Sequence, residues 1–326
     1  MVLVLDRKTV LDCLDLRALA GEIGEGMKAL TEGRVVQPLR TRVFSAETGG
    51  LLASLPCYLA GEELFSAKLG FSHPDLRHPD GTRHITQIIA YGDTEGRLLS
   101  LMHGTLLGMY RTAACSAVAA RYLAPESASR LAIIGCGPMG RAEAEVMAAV
   151  RPLRCITAFD LNRAAAEELR RSVEASTGVE VVICESAEAA VREAEIVSLA
   201  TTSHEPVIRR EWLRDASHVS ALGAHRKDHR EVDSATIAGA GLFIESREAL
   251  MAEAGDYLIP LGEGAIGAAH PVFEIGELLT DPHRFSQWRE RPTVFKSTGV
   301  GIQDLVIARH VYERARAAGR GLELDF

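Results

Sequence analysis

The chain has 326 residues, a formal net charge of −8, 47% hydrophobic and 25% charged residues. That much apolar surface excludes disorder as the main state, and the acidic excess argues against a nucleic-acid binder, whose affinity comes from cations on phosphates. At roughly 150 residues per domain, the length predicts about two domains. No apolar run reaches the ~20 residues that cross a bilayer as a helix. The start, Met1-Val-Leu-Val-Leu-Asp6-Arg7-Lys8, has its charges after a short apolar stretch, the reverse of a secretory signal. Cys13, Cys57, Cys115, Cys136, Cys155 and Cys184 include no Cys-x-x-Cys pair. We therefore expect neither a metal nor a disulfide framework, but reduced thiols in a cytoplasmic enzyme.

The first 37 residues read as a strand-like start followed by a helix with Leu16, Leu19, Ile23, Met27 and Leu30 at helical spacing. Residues 40–102 read as β-structure, with apolar pieces separated by turn signals such as His78-Pro-Asp-Gly81. Residues 105–123 are helical again, and the small-residue segment 124–129 ends that helix as a hinge. Beyond it strands (131–134, 155–159, 179–183, 196–200, 218–222) alternate with helices (139–150, from Arg163, 187–194), and 242–245 reads as a sixth strand. Such alternation implies βαβ units and a parallel sheet. The last segment, from Thr293, ends in a helix with Ile302, Leu305 and Val306 on one face. One helix cannot form a domain alone, so it is expected to return to the first domain.

Gly135-Cys-Gly137-Pro-Met-Gly140 follows the strand at 131–134 and opens a helix. In that setting G-x-G-x-x-G is a dinucleotide fingerprint: a tight turn, close approach of a pyrophosphate to the backbone, and close helix–sheet packing. The helix N-terminus offers N–H groups and partial positive charge to phosphates. Asp160 ends the next strand, where an acid binds the adenosine ribose hydroxyls and repels a 2′-phosphate, so NAD is favoured, with NADP still possible because Arg163 lies close by. The expected cofactor contacts are Gly135, Gly137, Pro138, Met139, Gly140, Asp160 and Arg163, with Thr201 and Ser297. The fold class is α/β: a Rossmann doubly wound parallel sheet, residues 127–296, inserted in a discontinuous α+β domain made of 1–126 and 297–326.

Three cations in the first domain stand in apolar or glycine-containing surroundings: Arg40, Lys68 (Phe65-Ser-Ala-Lys-Leu-Gly-Phe71) and Arg111 (Gly108-Met-Tyr-Arg-Thr-Ala-Ala114). Paired arginines suit a carboxylate. A desolvated lysine can hold a lowered pKa and exchange a proton with an imine or amine. On composition alone each also reads as a surface cation whose stem lies along apolar surface.

The residues Val35-Val-Gln-Pro-Leu-Arg-Thr41, Ala67-Lys-Leu69, Arg111-Thr-Ala-Ala114, Gly223-Ala224 with Arg230-Glu-Val-Asp233, and Thr293-Val-Phe-Lys-Ser297 with Gln303-Asp304 resemble the ornithine cyclodeaminase/mu-crystallin family. The resemblance runs from about residue 35 to 312. It implies a homodimer, a substrate-binding and dimerisation domain built from both chain ends, and NAD(P)-dependent chemistry at the C–N bond of a small amino or imino acid. By position Arg40 and Arg111 match the family's carboxylate-binding arginines, and Lys68 its active-site lysine. Where cyclodeaminases of this family carry an aspartate, this chain has His225, and the segment resembles the ketimine reductase branch. Two readings of His225 stand: a general acid or base, or a loop histidine with a backbone partner. Ile85-Thr86-Gln87 also departs from the family pattern and alters the expected pocket wall.

His73, His78 and His84 lack a partner at metal-ligand spacing, so no metal site is expected. With Arg77 and Arg83 they read either as a solvated loop or as a place for a further acidic group on the substrate. Asp304 reads as a first-turn acid of the last helix. Imine reduction is the first expectation. Ornithine cyclodeamination with recycled NAD and a non-catalytic, crystallin-like binder are the alternatives.

Overall fold

The computed structural model describes residues 1–77 and 83–325, apart from the side chains of residues 74, 77, 83 and 84. The chain forms two compact units, Met1–Arg111 with Val300–Phe326, and Thr112–Gly299. The first break falls inside the helix Gly104–Leu123, ahead of the hinge expected at 124–129. That segment is not a free linker: Ala124 and Ala128 are buried, and the Arg151 guanidinium donates to the carbonyls of Ala120, Pro125, Glu126 and Ala128. The second break, between Gly299 and Val300, comes after Ser297, Thr298 and Gly299 have all donated to Glu245.

In the discontinuous unit, strands Leu51–Leu59, Leu64–Arg77, Arg83–Asp93 and Leu98–His103 form an antiparallel meander. Val2–Leu5 pairs parallel with Leu98–His103 and antiparallel with Leu322–Leu324, so the two chain ends share one edge of the sheet. Val35–Val36 and Thr41–Phe44 pair with Leu51–Leu59 at the other edge. Side chains alternate between faces along each strand. One face buries Leu55, Cys57, Leu59, Ile89 and Tyr91, and the terminal helix Gly301–Ala317 lies against these strands. Leu19, Ile23 and Met27 of the helix Leu16–Thr31 are fully buried, as are Ile302, Leu305 and Val306 of the terminal helix that packs on it. Each such side chain contributes about 1.5–3 kcal/mol of burial. A Cβ at Gly26 would stand 2.8 Å from Val306 Cγ2, so glycine there lets the two helices cross closely. The opposite face of the meander leaves Val43, Leu52, Phe65, Phe71 and Ile88 exposed.

The continuous unit holds eight parallel strands in the spatial order Glu180–Ile183, Cys155–Phe159, Arg130–Ile134, Ile196–Leu199, His218–Ala221, Thr293–Lys296, Gly241–Ile244, Val272–Glu274. The first five follow the 3-2-1-4-5 order of a doubly wound Rossmann sheet. The four strands from Ile196 through Gly241–Ile244 in this order are buried throughout, as expected of a parallel sheet covered on both faces. Gly241–Ile244 is the sixth strand of this unit along the chain, as expected, but Thr293–Lys296 inserts between it and His218–Ala221. Thr293 fixes that insertion: its hydroxyl lies 2.8 Å from His218 Nδ1 on the neighbouring strand.

Under this sheet runs a buried polar chain. Glu143 Oε1 lies 2.5 Å from Ser116 Oγ and 2.8 Å from Ser198 Oγ, and Ser116 Oγ lies 2.8 Å from Ser220 Oγ. Burial pushes the Glu143 carboxyl up to about 7 and the neutral His218 ring down to about 3. Among the described residues no helix is long and apolar enough to cross a membrane.

Candidate active site

The glycine-rich turn follows the strand Arg130–Ile134 and opens the helix Pro138–Val150. Gly135 has φ +93°, and a Cβ there would stand 2.6 Å from the Ala200 carbonyl oxygen. A Cβ at Gly140 would stand 2.0 Å from the Gly135 carbonyl oxygen, so helix and turn meet at backbone distance. Gly137 is the N-cap, with open space around it and no side-chain cap bond, while Pro138 occupies the first helical turn. The N–H groups of that turn thus remain for an anionic ligand, and Met139 belongs to the same turn. Asp160 directly follows Cys155–Phe159 and accepts from Cys136 N at 2.7 Å and Asn162 N at 2.7 Å. It ties the turn to the adjoining loop, and each oxygen keeps a second lone pair for a ribose hydroxyl. Arg163 is exposed and lies 3.0 Å from Glu185 and 3.9 Å from Glu167.

In the discontinuous unit, Lys68 sits on the strand Leu64–Arg77 and Asp304 on the first turn of the terminal helix. Lys68 Nζ reaches both Asp304 oxygens, at 2.9 and 2.8 Å. Arg111 Nε lies 3.2 Å from Asp304 Oδ1, and its Nη1 donates to Gln303 Oε1 at 2.5 Å. Lys68 is 4% exposed, Arg111 5% and Asp304 0%. Burial lowers the Lys68 ammonium to about 8, Asp304 works against that fall, and the positive charges of Arg111 and Arg40 add to it. Arg40 is half-buried and near enough to be felt electrostatically at Lys68. The helix start is anchored by Gln37, whose Oε1 accepts from Ile302 N at 2.8 Å. Two of the cations expected from the sequence, Lys68 and Arg111, therefore meet on one carboxylate, which does more than favour a helix N-terminus.

At the carboxyl ends of the parallel strands stands a second buried node. Glu231 Oε1 accepts from Thr201 N at 2.7 Å and Thr201 Oγ1 at 2.8 Å, and Oε2 accepts from Gly223 N at 2.7 Å and Ala224 N at 3.1 Å. One carboxylate thus joins the loops that follow two adjacent strands. Burial pushes it up to about 7, against the pull of Lys296 and Thr201. Asp256 accepts from Glu231 N and Val232 N and pairs with Lys296 Nζ at 2.9 Å. Lys296 also donates to the carbonyls of Ala221 and Ala224. Ser297 Oγ donates to Glu245 at 2.8 Å. His225 is exposed, with Nδ1 3.1 Å from the Gly223 carbonyl oxygen, which matches the loop-histidine reading.

Sequence reasoning missed Glu231, Glu245, Asp256 and the partnership of Gln303 and Asp304 with Arg111 and Lys68. A usable signal was present: Glu231 lies within Arg230-Glu-Val-Asp233, and Glu245 ends the apolar strand run Leu-Phe-Ile. The Cys136 thiol is buried and pushed up to about 12, so it is not a reactive thiolate. Among the described residues no three metal-ligating side chains converge. His78 lies outside the described residues, as do the side chains of His84, Arg77 and Arg83.

Comparison with known proteins places the whole chain. The chain is 31% identical to ketimine reductase mu-crystallin of Rattus norvegicus over 86% of both chains. It is 30% identical to Delta(1)-pyrroline-2-carboxylate reductase of Bacillus cereus over 92% of both. The structure of Delta(1)-pyrroline-2-carboxylate reductase from Thermococcus litoralis, in complex with NADH and L-proline, superposes with a TM-score of 0.92 at 29% identity, covering 99% of this chain and 100% of that one. A model of the ornithine cyclodeaminase/mu-crystallin family matches residues 2–319, and the chain belongs to that family.

Proposed function

We propose that the protein is an NAD-dependent oxidoreductase that reduces the C=N bond of a small, preferably cyclic, 2-imino acid to the L-amino acid. The observation that carries this reading is the buried group of Lys68, Asp304 and Arg111, a lysine poised at about 8 beside a guanidinium. Reduced NAD, when bound, supplies the hydride for the imine carbon. The glycine turn fits it, with an uncapped helix N-terminus and open space at Gly137, and Asp160 disfavours a 2′-phosphate.

The chain's own residues supply the remaining chemistry. Arg111 and Arg40 bind the substrate carboxylate through paired, charge-assisted hydrogen bonds. Lys68 delivers the proton to the imine nitrogen: an ammonium near 8 is mostly protonated at neutral pH yet gives up its proton more readily than a solvated lysine. Asp304 keeps that ammonium charged between turnovers. Glu231 holds Thr201, Gly223 and Ala224 where the nicotinamide half of a dinucleotide lies in such sheets, beyond the carboxyl ends of the strands. Lys68, rather than His225, takes the proton role, because the His225 ring is exposed and engaged with its own loop. The relatives that reduce ketimines and pyrroline-2-carboxylate support this reading.

The active form is a homodimer, supported by the exposed apolar sheet face of Val43, Leu52, Phe65, Phe71 and Ile88. The cytoplasm is its compartment, supported by six free cysteines, four of them buried. The test is NADH consumption with pyrroline-2-carboxylate, piperideine-2-carboxylate, and pyruvate plus ammonium. Stoichiometric oxidation of NADH is expected. Proline formed from ornithine with substoichiometric NAD would establish cyclodeamination instead, and nucleotide binding without turnover would establish a binder.

A further inference from the structure

One polar side chain beside Lys68 has no part in the reaction just described. Gln87 lies on the strand Arg83–Asp93 directly opposite Gly70, two residues beyond Lys68 on the neighbouring strand, so all three share one sheet face. Its side chain fills the space that two glycines leave. A Cβ at Gly70 would stand 3.5 Å from Gln87 Cγ and Nε2. A Cβ at Gly108, on the helix that carries Arg111, would stand 3.1 Å from Gln87 Oε1 and 3.9 Å from Lys68 Nζ. The carboxamide oxygen and the reacting ammonium are therefore neighbours across a single glycine. The strand is held at this point by Gln87 N donating to Thr105 Oγ1 at 3.1 Å, which fixes where the side chain starts. Among the described residues the half-buried carboxamide itself makes no hydrogen bond.

A carboxamide with no partner among the described residues is not required for packing, since a leucine of nearly the same shape would fill the same space. The amide offers two donors and an acceptor to whatever occupies the space next to Lys68. We propose that Gln87 is a specificity-determining residue, and that the preferred substrate is a 2-imino acid carrying a hydrogen-bonding oxygen, such as a hydroxyl, on its ring or side chain. This deepens the reading above and rests on it. An enzyme pocket built to hydrogen-bond a substrate group discriminates strongly against the analogue that lacks it, whereas an apolar wall discriminates weakly.

The test compares pyrroline-2-carboxylate with its ring-hydroxylated analogues, using the full-length enzyme with NADH and its Gln87→Leu and Gln87→Asn variants. Wild type is expected to show kcat/KM at least ~10-fold higher for a hydroxylated ring. Gln87→Leu removes that preference, lowering kcat/KM about 10-fold or more on the hydroxylated ring and less than about 3-fold on the parent. Gln87→Asn retains part of the preference. A parallel fall on both substrates, or a wild type that favours the unsubstituted ring, would overturn the assignment. If wild type reduces neither imine, the proposed reaction fails and this assignment with it. If it reduces the parent ring with no hydroxyl preference, only this assignment fails.

Discussion

Among the described residues Asp304 is the one carboxylate that Lys68 and Arg111 share, and the structure predicts what its removal does. Asp304→Asn keeps the shape and deletes the charge, leaving two cations at 4% and 5% exposure with no anion between them. Losing one member of a buried ion pair costs about 3–5 kcal/mol, because the remaining charge stays desolvated. With an m-value of about 3 kcal/mol per molar urea, the unfolding midpoint of the unit carrying Asp304 falls by about 1–1.7 M. The same change acts on the chemistry. Asp304 is the main influence holding the Lys68 ammonium up at about 8, so the variant's lysine loses its proton at lower pH. The alkaline limb of kcat/KM, which marks loss of the proton donor, moves down by one unit or more. A double-mutant cycle with Lys68→Met separates the pair from its surroundings: Met removes the orphaned cation and is expected to recover ~2 kcal/mol of the loss. An Asp304→Asn variant destabilised by less than about 1 kcal/mol, or an unmoved alkaline limb, would refute the argument.

Other residues give further checks. Asp160→Ala is expected to raise the preference for NADPH over NADH at least ~10-fold in kcat/KM; an unchanged ratio would mean that the ribose is read elsewhere. Glu143 has a folded pKa near 7 against an ordinary value of 4.5, so its contribution to stability is complete below about 4.5 and is lost as pH rises to about 7. That span corresponds to about 3 kcal/mol, and Glu143→Gln should flatten the urea midpoint across the same window; an equal slope in both proteins would exclude Glu143 as its source. Phe71→Glu places a charge in the exposed apolar sheet face and is expected to halve the mass measured by light scattering. A dimer that survives this change would place the interface on another surface.

Much of this was legible in the sequence because the signals are local. The strand at 131–134, the three glycines and the acid at Asp160 lie within 30 residues, and a tight turn leaves few alternatives for each. Arg40, Lys68 and Arg111 stood out because charges in apolar or glycine-bearing surroundings need a reason. What escaped was pairing at long range. Asp304 reads as an ordinary first-turn acid until the fold sets it 2.8 Å from a lysine 236 residues earlier. The insertion of Thr293–Lys296 ahead of Gly241–Ile244 is invisible for the same reason: four buried apolar-rich residues carry no statement of which strand they will join. Gln87 signalled only a departure from the family pattern, and its meaning depends on Gly70 and Gly108 meeting around it.

The nested arrangement of the units also sets an order of assembly as the chain leaves the ribosome. Residues 112–299 form a continuous unit, whose last strand in the sequence, Thr293–Lys296, is made well before the C-terminus. The other unit is begun first and completed last. Its sheet lacks the edge strand Leu322–Leu324, and its buried lysine and arginine lack their counter-charge, until the final 27 residues emerge. Domains commonly fold in the order of synthesis, but here the middle of the message yields the first finished piece. A ribosome-bound chain truncated after residue 300 is then a protein with a formed nucleotide-type unit and an open, unneutralised companion, for which chaperone protection is most needed until residues 300–326 have emerged.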